Sequence, residues 1–289
     1  MINTFKFLSR LAWGSWQLSA ELENHKSIAQ HIESVFKKNI FVLDTADIYG
    51  NYGNEEILGN ALKNINFSRE SYQLITKGNI FNNHPDYPNI QGHHYDSSYA
   101  YLRNAIERSL NKLQTNYIDL YLLHRLDYLM DPAAVSKVLK EYVGAGKIKA
   151  VGVSNFPAST IRMLQKHLDI PIATNQIEFS LKHLNPLDDG SLDLAVECSY
   201  QPMFWSPYAR GDIFRDEKIC SALSKYAAKY NTNAEAIATA WLLKHPAQGI
   251  IVVGSNNIER IQRITDGIDI KLENYEWYDI LKSTGKILP

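Results

Sequence analysis

Four side chains able to do proton chemistry close, or closely follow, short aliphatic runs: Asp44 ends Ile40 to Asp44, Tyr49 lies in the loop behind it, Lys77 ends Tyr72 to Lys77, and His124 follows Ile118 to Leu123. An ammonium facing a phenol favours the phenolate and lowers the tyrosine pKa, while a carboxylate keeps the lysine charged and placed. A tyrosine tuned in this way is a usable general acid. Singly, each residue also fits a plainer role: Asp44 as a helix cap, Tyr49 as a core aromatic, Lys77 as a snorkelling strand end, His124 as a satisfied core histidine. Their joint occurrence at successive strand ends is what points to a site.

The elements that must position them repeat. Aliphatic runs at Leu8 to Gly14, Ile40 to Asp44, Tyr72 to Lys77, Ile118 to Leu123, Ile148 to Val153, Pro171 to Gln176, Gln201 to Trp205 and Ile250 to Val253 read as eight strands. Amphipathic stretches lie between them: Ile28, Ile32, Val35 and Phe36 share one helical face, as do Leu102, Ile106, Leu110 and Leu113. Asp131 and Pro132 start a helix whose buried stripe is Val135, Val138 and Leu139 and whose stop is Gly144. No G-x-G-x-x-G turn follows any strand, which argues against a doubly wound dinucleotide fold. The expectation is an α/β protein, a single-domain (β/α)8 TIM barrel over residues 1–289, whose βα loops gather chemistry on one face.

Composition excludes several classes. The 289 residues are 45% hydrophobic and 21% charged, enough for a large core. Thirty basic against 31 acidic side chains give a net charge of −1, without the electrostatic footprint of a nucleic-acid binder. Apolar runs are too short to span a membrane, and the N-terminus lacks the core of a signal peptide. With only Cys198 and Cys220, no disulfide framework or structural zinc site is expected, and a cytoplasmic setting follows. The insert from Gly78 to Asp96 exceeds an ordinary βα loop and is expected to be an ordered loop walling the substrate pocket. His93, His94 and Asp96 within it read as exposed side chains rather than metal ligands, since adjacent histidines do not readily chelate together.

The stretch from Asp44 through Thr45, Ala46, Asp47, Ile48 and Tyr49 to Gly50, followed by Asn54-Glu55-Glu56-Ile57-Leu58-Gly59, resembles the signature of the aldo-keto reductases. The resemblance continues through Ile75-Thr76-Lys77, His124 behind Asp119-Leu120-Tyr121-Leu122-Leu123, Gly152-Val153-Ser154-Asn155-Phe156 and Asn175-Gln176-Ile177-Glu178, nearly the whole chain. Leu123-His124-Arg125 leading to Leu129-Met130-Asp131-Pro132, with Trp205-Ser206 after strand seven, is most similar to bacterial oxidoreductases of the YdhF type. The resemblance implies Tyr49 as proton donor, Lys77 and Asp44 as its tuning pair, and His124 as the donor orienting a substrate carbonyl, with Trp16 beside Tyr49 and His124 in the substrate pocket. It further implies a nicotinamide cofactor held by Gly14, Ser15, Asp44, Ser154, Asn155 and Gln176, with Trp205 stacking on the ring. Ser206, Pro207 and Gly211 would follow the pyrophosphate, a claim that the nearby Asp212 opposes. Gly254, Ser255, Asn257 and Arg260 would lie at the adenosine end.

Ser255 and Arg260 suit a 2′-phosphate. Gly254, however, stands where many members have a phosphate-binding lysine, and Arg263 and Ile264 replace a Glu-Asn pair that often contacts adenine. NADP(H) is therefore expected, with NAD(H) still possible. The implied reaction is reduction of a small-molecule aldehyde or ketone to an alcohol by hydride transfer, with no metal, nucleic-acid or membrane partner. The alternative is a nucleotide-binding, redox-sensing regulatory protein of the same fold with slow turnover, and steady turnover on small aldehydes separates the two. A metal-dependent barrel hydrolase is disfavoured by the missing ligands. The short stretch before Leu8 is expected to cover the barrel bottom less than the family's usual hairpin does.

Overall fold

The computed structural model describes residues 4–18, 25–84 and 88–288. Eight parallel strands close into a barrel: β1 (Leu11–Gly14), β2 (Val42–Asp44), β3 (Gln73–Gly78), β6 (Ile118–Leu123), β7 (Ile148–Ser154), β8 (Ile172–Glu178), β9 (Met203–Trp205) and β10 (Ile250–Val253). Around the circle the order is β1, β10, β9, β8, β7, β6, β3, β2. The remaining strands, β4 (Ile80–Asn82) and β5 (His93–Tyr95), form an antiparallel hairpin outside it.

Strands covered on both faces read as continuous apolar runs, because neither face meets water. Here one face fills the barrel and the other carries helices. Ala12, Val42, Ile75, Leu120, Leu122, Ala173, Met203, Ile250 and Val252 form the inner cluster, while alternating residues such as Leu11, Leu43, Leu74, Tyr121 and Ile251 join the large outer one. The outer helices include α1 (His25–Phe36), α2 (Asn54–Leu62), α3 (Tyr99–Leu113) and α4 (Pro132–Gly144). α5 (Ala158–Gln165), α6 (Ser191–Glu197), α7 (Glu217–Lys229), α8 (Ala234–Leu243), α9 (Ile258–Thr265) and α10 (Asn274–Ser283) follow. The stripes of α1 and α3 are buried as their spacing requires.

Four details differ from the sequence reading. The first two strands begin at Leu11 and Val42 rather than Leu8 and Ile40, and β9 begins at Met203 rather than Gln201; of the preceding residues, Arg10, Phe41 and Pro202 still lend their carbonyls to N–H groups of the neighbouring strands. The insert Gly78 to Asp96 is not all loop, since Phe81 pairs with His94 in the β4–β5 hairpin and their rings stack at 4.5 Å, leaving His94 half-buried and His93 exposed. Residues 85–87 of that insert lie outside the described residues. Asp131 does cap α4, its carboxylate accepting the Ala133 N–H at 2.9 Å, but Gly144 is still helical, and the left-handed turn that ends the helix is at Gly146 (φ 71°). Finally, the stretch before β1 makes a contact the sequence reading did not specify: Phe5 and Phe7 meet edge to face at 5.1 Å and pack, half-buried, against the inner cluster.

Candidate active site

The strand ends bring the four proton-bearing side chains together. Lys77, at 0% exposure, donates to Asp44 Oδ2 at 2.7 Å, to the Thr45 carbonyl at 2.7 Å and to the Tyr49 hydroxyl at 3.2 Å. Burial alone would weaken the Lys77 ammonium, but Asp44 and Tyr49 outweigh it and hold the group above its usual pKa. For Tyr49 the balance differs from the expected lowering. Desolvation pushes the phenol up and the pull of Lys77 only partly opposes it, so the net shift is upward. The lysine is thus a counterweight that keeps the buried phenol from rising further.

Tyr49 reaches this position through a short helical turn, Tyr49–Tyr52, broken by positive φ at Gly50 (58°) and Asn51 (53°). His124 stands edge-on to Tyr49 with ring centroids 5.6 Å apart. Burial, together with the charges of Lys77 and Arg125, drives its imidazole well below the usual pKa. It is therefore neutral near pH 7, with one N–H to donate, and its Nδ1 is buried without a hydrogen-bond partner. A charged lysine, a phenol in contact with it and a neutral imidazole around one opening can protonate an oxygen and stabilise charge developing there.

Gln176 extends the network, donating to Asp44 Oδ1 at 2.8 Å. Asn155, at φ 57°, donates to Ser154 Oγ at 2.8 Å and accepts the Trp205 indole N–H at 3.0 Å, so Trp205 is aimed by Asn155 and left half-buried rather than packed in the core. Gly14 pairs with Asp44 across the ladder, and Ser15 is buried with its hydroxyl unpartnered. Trp16, 53% exposed, lies beneath the Arg210 guanidinium at 5.2 Å.

The loop behind β9 has positive φ at Ser206 (52°), Ala209 (46°), Arg210 (55°) and Gly211 (91°), with Pro207 buried. Such strain persists where surrounding structure enforces it, commonly at ligand-clamping segments. Asp212 is paired with Arg215, which offsets the repulsion it would exert on a phosphate. At the far end, the Trp13 indole donates to the Ser255 carbonyl at 3.2 Å and so holds the loop after β10. Asn257 is largely spent as the α9 cap, accepting the Arg260 N–H at 2.9 Å, while Asn256 Nδ2 is buried without a partner. Arg260 is exposed on the first turn of α9, and no atom lies within 4 Å of a Cβ built on Gly254. Arg263 is tied to Glu235 at 2.8 Å and Ile264 is buried, so neither side chain is free for adenine. An unpartnered amide, an open glycine, an exposed arginine and a helix N-terminus fit a nucleotide phosphate.

Several polar residues escaped the sequence reading of roles. Asn54, fully buried, donates to the Ser15 carbonyl at 2.9 Å and fixes the end of β1. Glu55 accepts the Thr76 hydroxyl at 2.6 Å, and Asp47 is buried with both carboxylate oxygens unpartnered. Burial, then the nearby Glu55, raises the Asp47 pKa well above the ordinary value. All three sit inside the motifs quoted above, which was their signal. Among the described residues no three His, Cys, Asp or Glu side chains cluster as metal ligands, and no helix is long and apolar enough to cross a membrane.

The family model described as "Aldo/keto reductase family" matches residues 10–283. The chain belongs to this family. It is 34% identical over 276 residues to 6-dehydroglucose reductase of Agrobacterium fabrum, covering 94% of this chain and 93% of that one. It is 32% identical over 279 residues to the oxidoreductase YdhF of Escherichia coli, covering 95% and 93%. Among solved structures, an aldo/keto reductase from Klebsiella pneumoniae in complex with NADP and acetate superposes with a TM-score of 0.79 over 98% of this chain and 95% of that one, at 23% identity. This last likeness concerns the fold.

Proposed function

We propose that this aldo/keto reductase reduces an aldehyde or ketone to an alcohol with NADPH, Tyr49 acting as the proton donor. The observation that carries the reading is the contact of the Tyr49 hydroxyl with a fully buried, Asp44-paired Lys77, opposite a neutral His124. When bound along the loops after β1, β9 and β10, the reduced nicotinamide supplies the hydride. His124 donates its N–H to the carbonyl oxygen and holds it against Tyr49, which gives that oxygen its proton. Lys77, already in contact with the Tyr49 oxygen, stabilises the phenolate left behind.

Ser154, Asn155 and Gln176 offer both donors and acceptors to a carboxamide, Trp205 offers a flat face, and Gly14, Ser15, Ser206, Pro207 and Gly211 line the remaining path. Ser255 and Arg260, with Gly254 and Asn257, support a preference for NADP(H) over NAD(H). The relative named 6-dehydroglucose reductase makes a sugar-like aldehyde a reasonable first substrate. A cytoplasmic location is part of the same proposal.

The test is to follow tryptophan fluorescence while titrating NADPH and NADH, then to assay small aldehydes. Tyr49→Phe is expected to bind NADPH as the wild type does while losing at least about a hundredfold in turnover, the size of a general-acid contribution. Wild-type turnover by the variant would remove Tyr49 from the role and return the acid to His124. NADPH binding without steady turnover by the wild type would favour a regulatory protein.

A further inference from the structure

Arg125 follows His124 directly, and its backbone is pinned from both sides by one residue. Asn79 Nδ2 donates to the Arg125 carbonyl at 2.7 Å and Asn79 Oδ1 accepts the Arg125 N–H at 3.0 Å. Asn79 itself is fully buried at φ 99°, so this clasp is imposed by the fold. The guanidinium lies 5.7 Å from the centroid of the Trp205 ring, which Asn155 aims, and its charge is felt by both Tyr49 and His124.

Beyond the Trp205 ring, no carboxylate among the described residues meets this charge. Arg69 holds Asp119 at 2.6 Å, Arg162 holds Glu197 and Arg263 holds Glu235, yet among the described residues Arg125 has no carboxylate partner. Lys77, the cation buried beneath, is matched by Asp44. A half-buried guanidinium gives up hydration that must be returned by a partner, and its planar fork is suited to two oxygens at once. Arg210, over Trp16, adds a second guanidinium on the rim with no carboxylate partner among the described residues.

Resting on the carbonyl-reduction reading above, we propose that Arg125 is a specificity-determining residue that grips a pair of substrate oxygens, vicinal hydroxyls or a carboxylate, carried near the reacting carbonyl. The site accordingly takes an oxygenated aldehyde or ketone in preference to a plain alkyl one. Losing this grip weakens substrate binding without touching the proton donor, so the effect falls on KM more than on kcat.

The experiment compares wild type, Arg125→Leu and Arg125→Lys at saturating NADPH on propanal, glyceraldehyde and 4-oxobutanoate. Arg125→Leu is expected to lose at least about tenfold in kcat/KM on glyceraldehyde or on 4-oxobutanoate, mostly through KM, while propanal changes by less than about threefold. Loss on 4-oxobutanoate partly restored by lysine identifies a carboxylate as the partner, since charge alone then helps. Loss on glyceraldehyde that lysine does not restore identifies a diol held by the fork. An equal loss on all three substrates would make Arg125 a general electrostatic support and overturn the proposal, as would no loss on any. If the wild type binds NADPH but turns over none of them, the underlying reductase reading fails and takes this one with it.

Discussion

The side chains that were easiest to find are those whose chemistry contradicts their surroundings. A lysine closing an apolar strand, or a histidine placed directly behind one, has to be explained, and here Lys77 and His124 are explained by Asp44, Tyr49 and each other. Arg125 was harder to see because exposed arginines are common, and only its missing partner in three dimensions marks it. Asp47 was hidden for the opposite reason: it lies two residues from Tyr49 in the same motif, but its carboxyl sits by Gly78 of β3, with Glu55 as a charged neighbour. A carboxyl buried without partners keeps its proton in the fold and loses it when unfolded. The folded pKa is raised, so the stability Asp47 contributes is complete below the ordinary carboxylate pKa and is lost as pH rises towards the folded value, at up to about 1.4 kcal/mol per pH unit. Glu55 shifts in the same direction. Asp47→Asn, which cannot ionise, should therefore gain on the wild type as pH rises from 5 to 8, by several degrees in melting temperature at the alkaline end. A difference in melting temperature that stays constant with pH would mean that the Asp47 carboxylate is charged in the folded protein.

Elements were legible where periodicity and caps agree, and their edges were not. The α4 start was readable because Asp131 and Pro132 each favour it for a separate reason, and its last helical residue is Gly144 as read, but the glycine that takes the left-handed turn is Gly146, since either could do so and only packing chooses. The β4–β5 hairpin left no clear pattern because its strands are three residues each and partly exposed. Gly59 illustrates how a motif residue can serve an element rather than a reaction. A Cβ built there would lie 2.2 Å from the Lys112 carbonyl oxygen and under 3 Å from Leu113 backbone atoms, so α2 and α3 cross at this glycine with no room for a methyl group. Those neighbours are backbone and cannot swing aside. Gly59→Ala should consequently destabilise the fold by about 1–3 kcal/mol, despite the better helix propensity of alanine. Urea unfolding with an unchanged midpoint would show that the two helices can separate at no cost.

At the scale of the whole molecule, barrel closure could be anticipated from eight strand-like runs, but the way its ends are finished could not. Phe5 and Phe7 pack against the inner cluster from a stretch too short to carry a periodic signal. The other end is left polar, with strained loops and unpartnered groups spread over the ends of β1, β9 and β10. A nucleotide lying across those loops would add to the few contacts that already join them, Arg210 over Trp16 and the Trp13 indole on the Ser255 carbonyl. Binding to the folded chain alone raises stability by mass action, by about 2.7 kcal/mol at a hundredfold excess over Kd. For a chain of this size that is a rise of roughly 4–5 °C in melting temperature. NADPH should produce such a shift, and NADH at the same concentration a smaller one, because only NADPH carries the 2′-phosphate that Arg260 and Ser255 can grip. Arg260→Ala should bring the NADPH shift down to the NADH value while leaving the NADH shift unchanged. Equal shifts from both nucleotides in the wild type would mean that the phosphate is not read at α9, and no shift from either would leave these loops without a nucleotide to explain their strain.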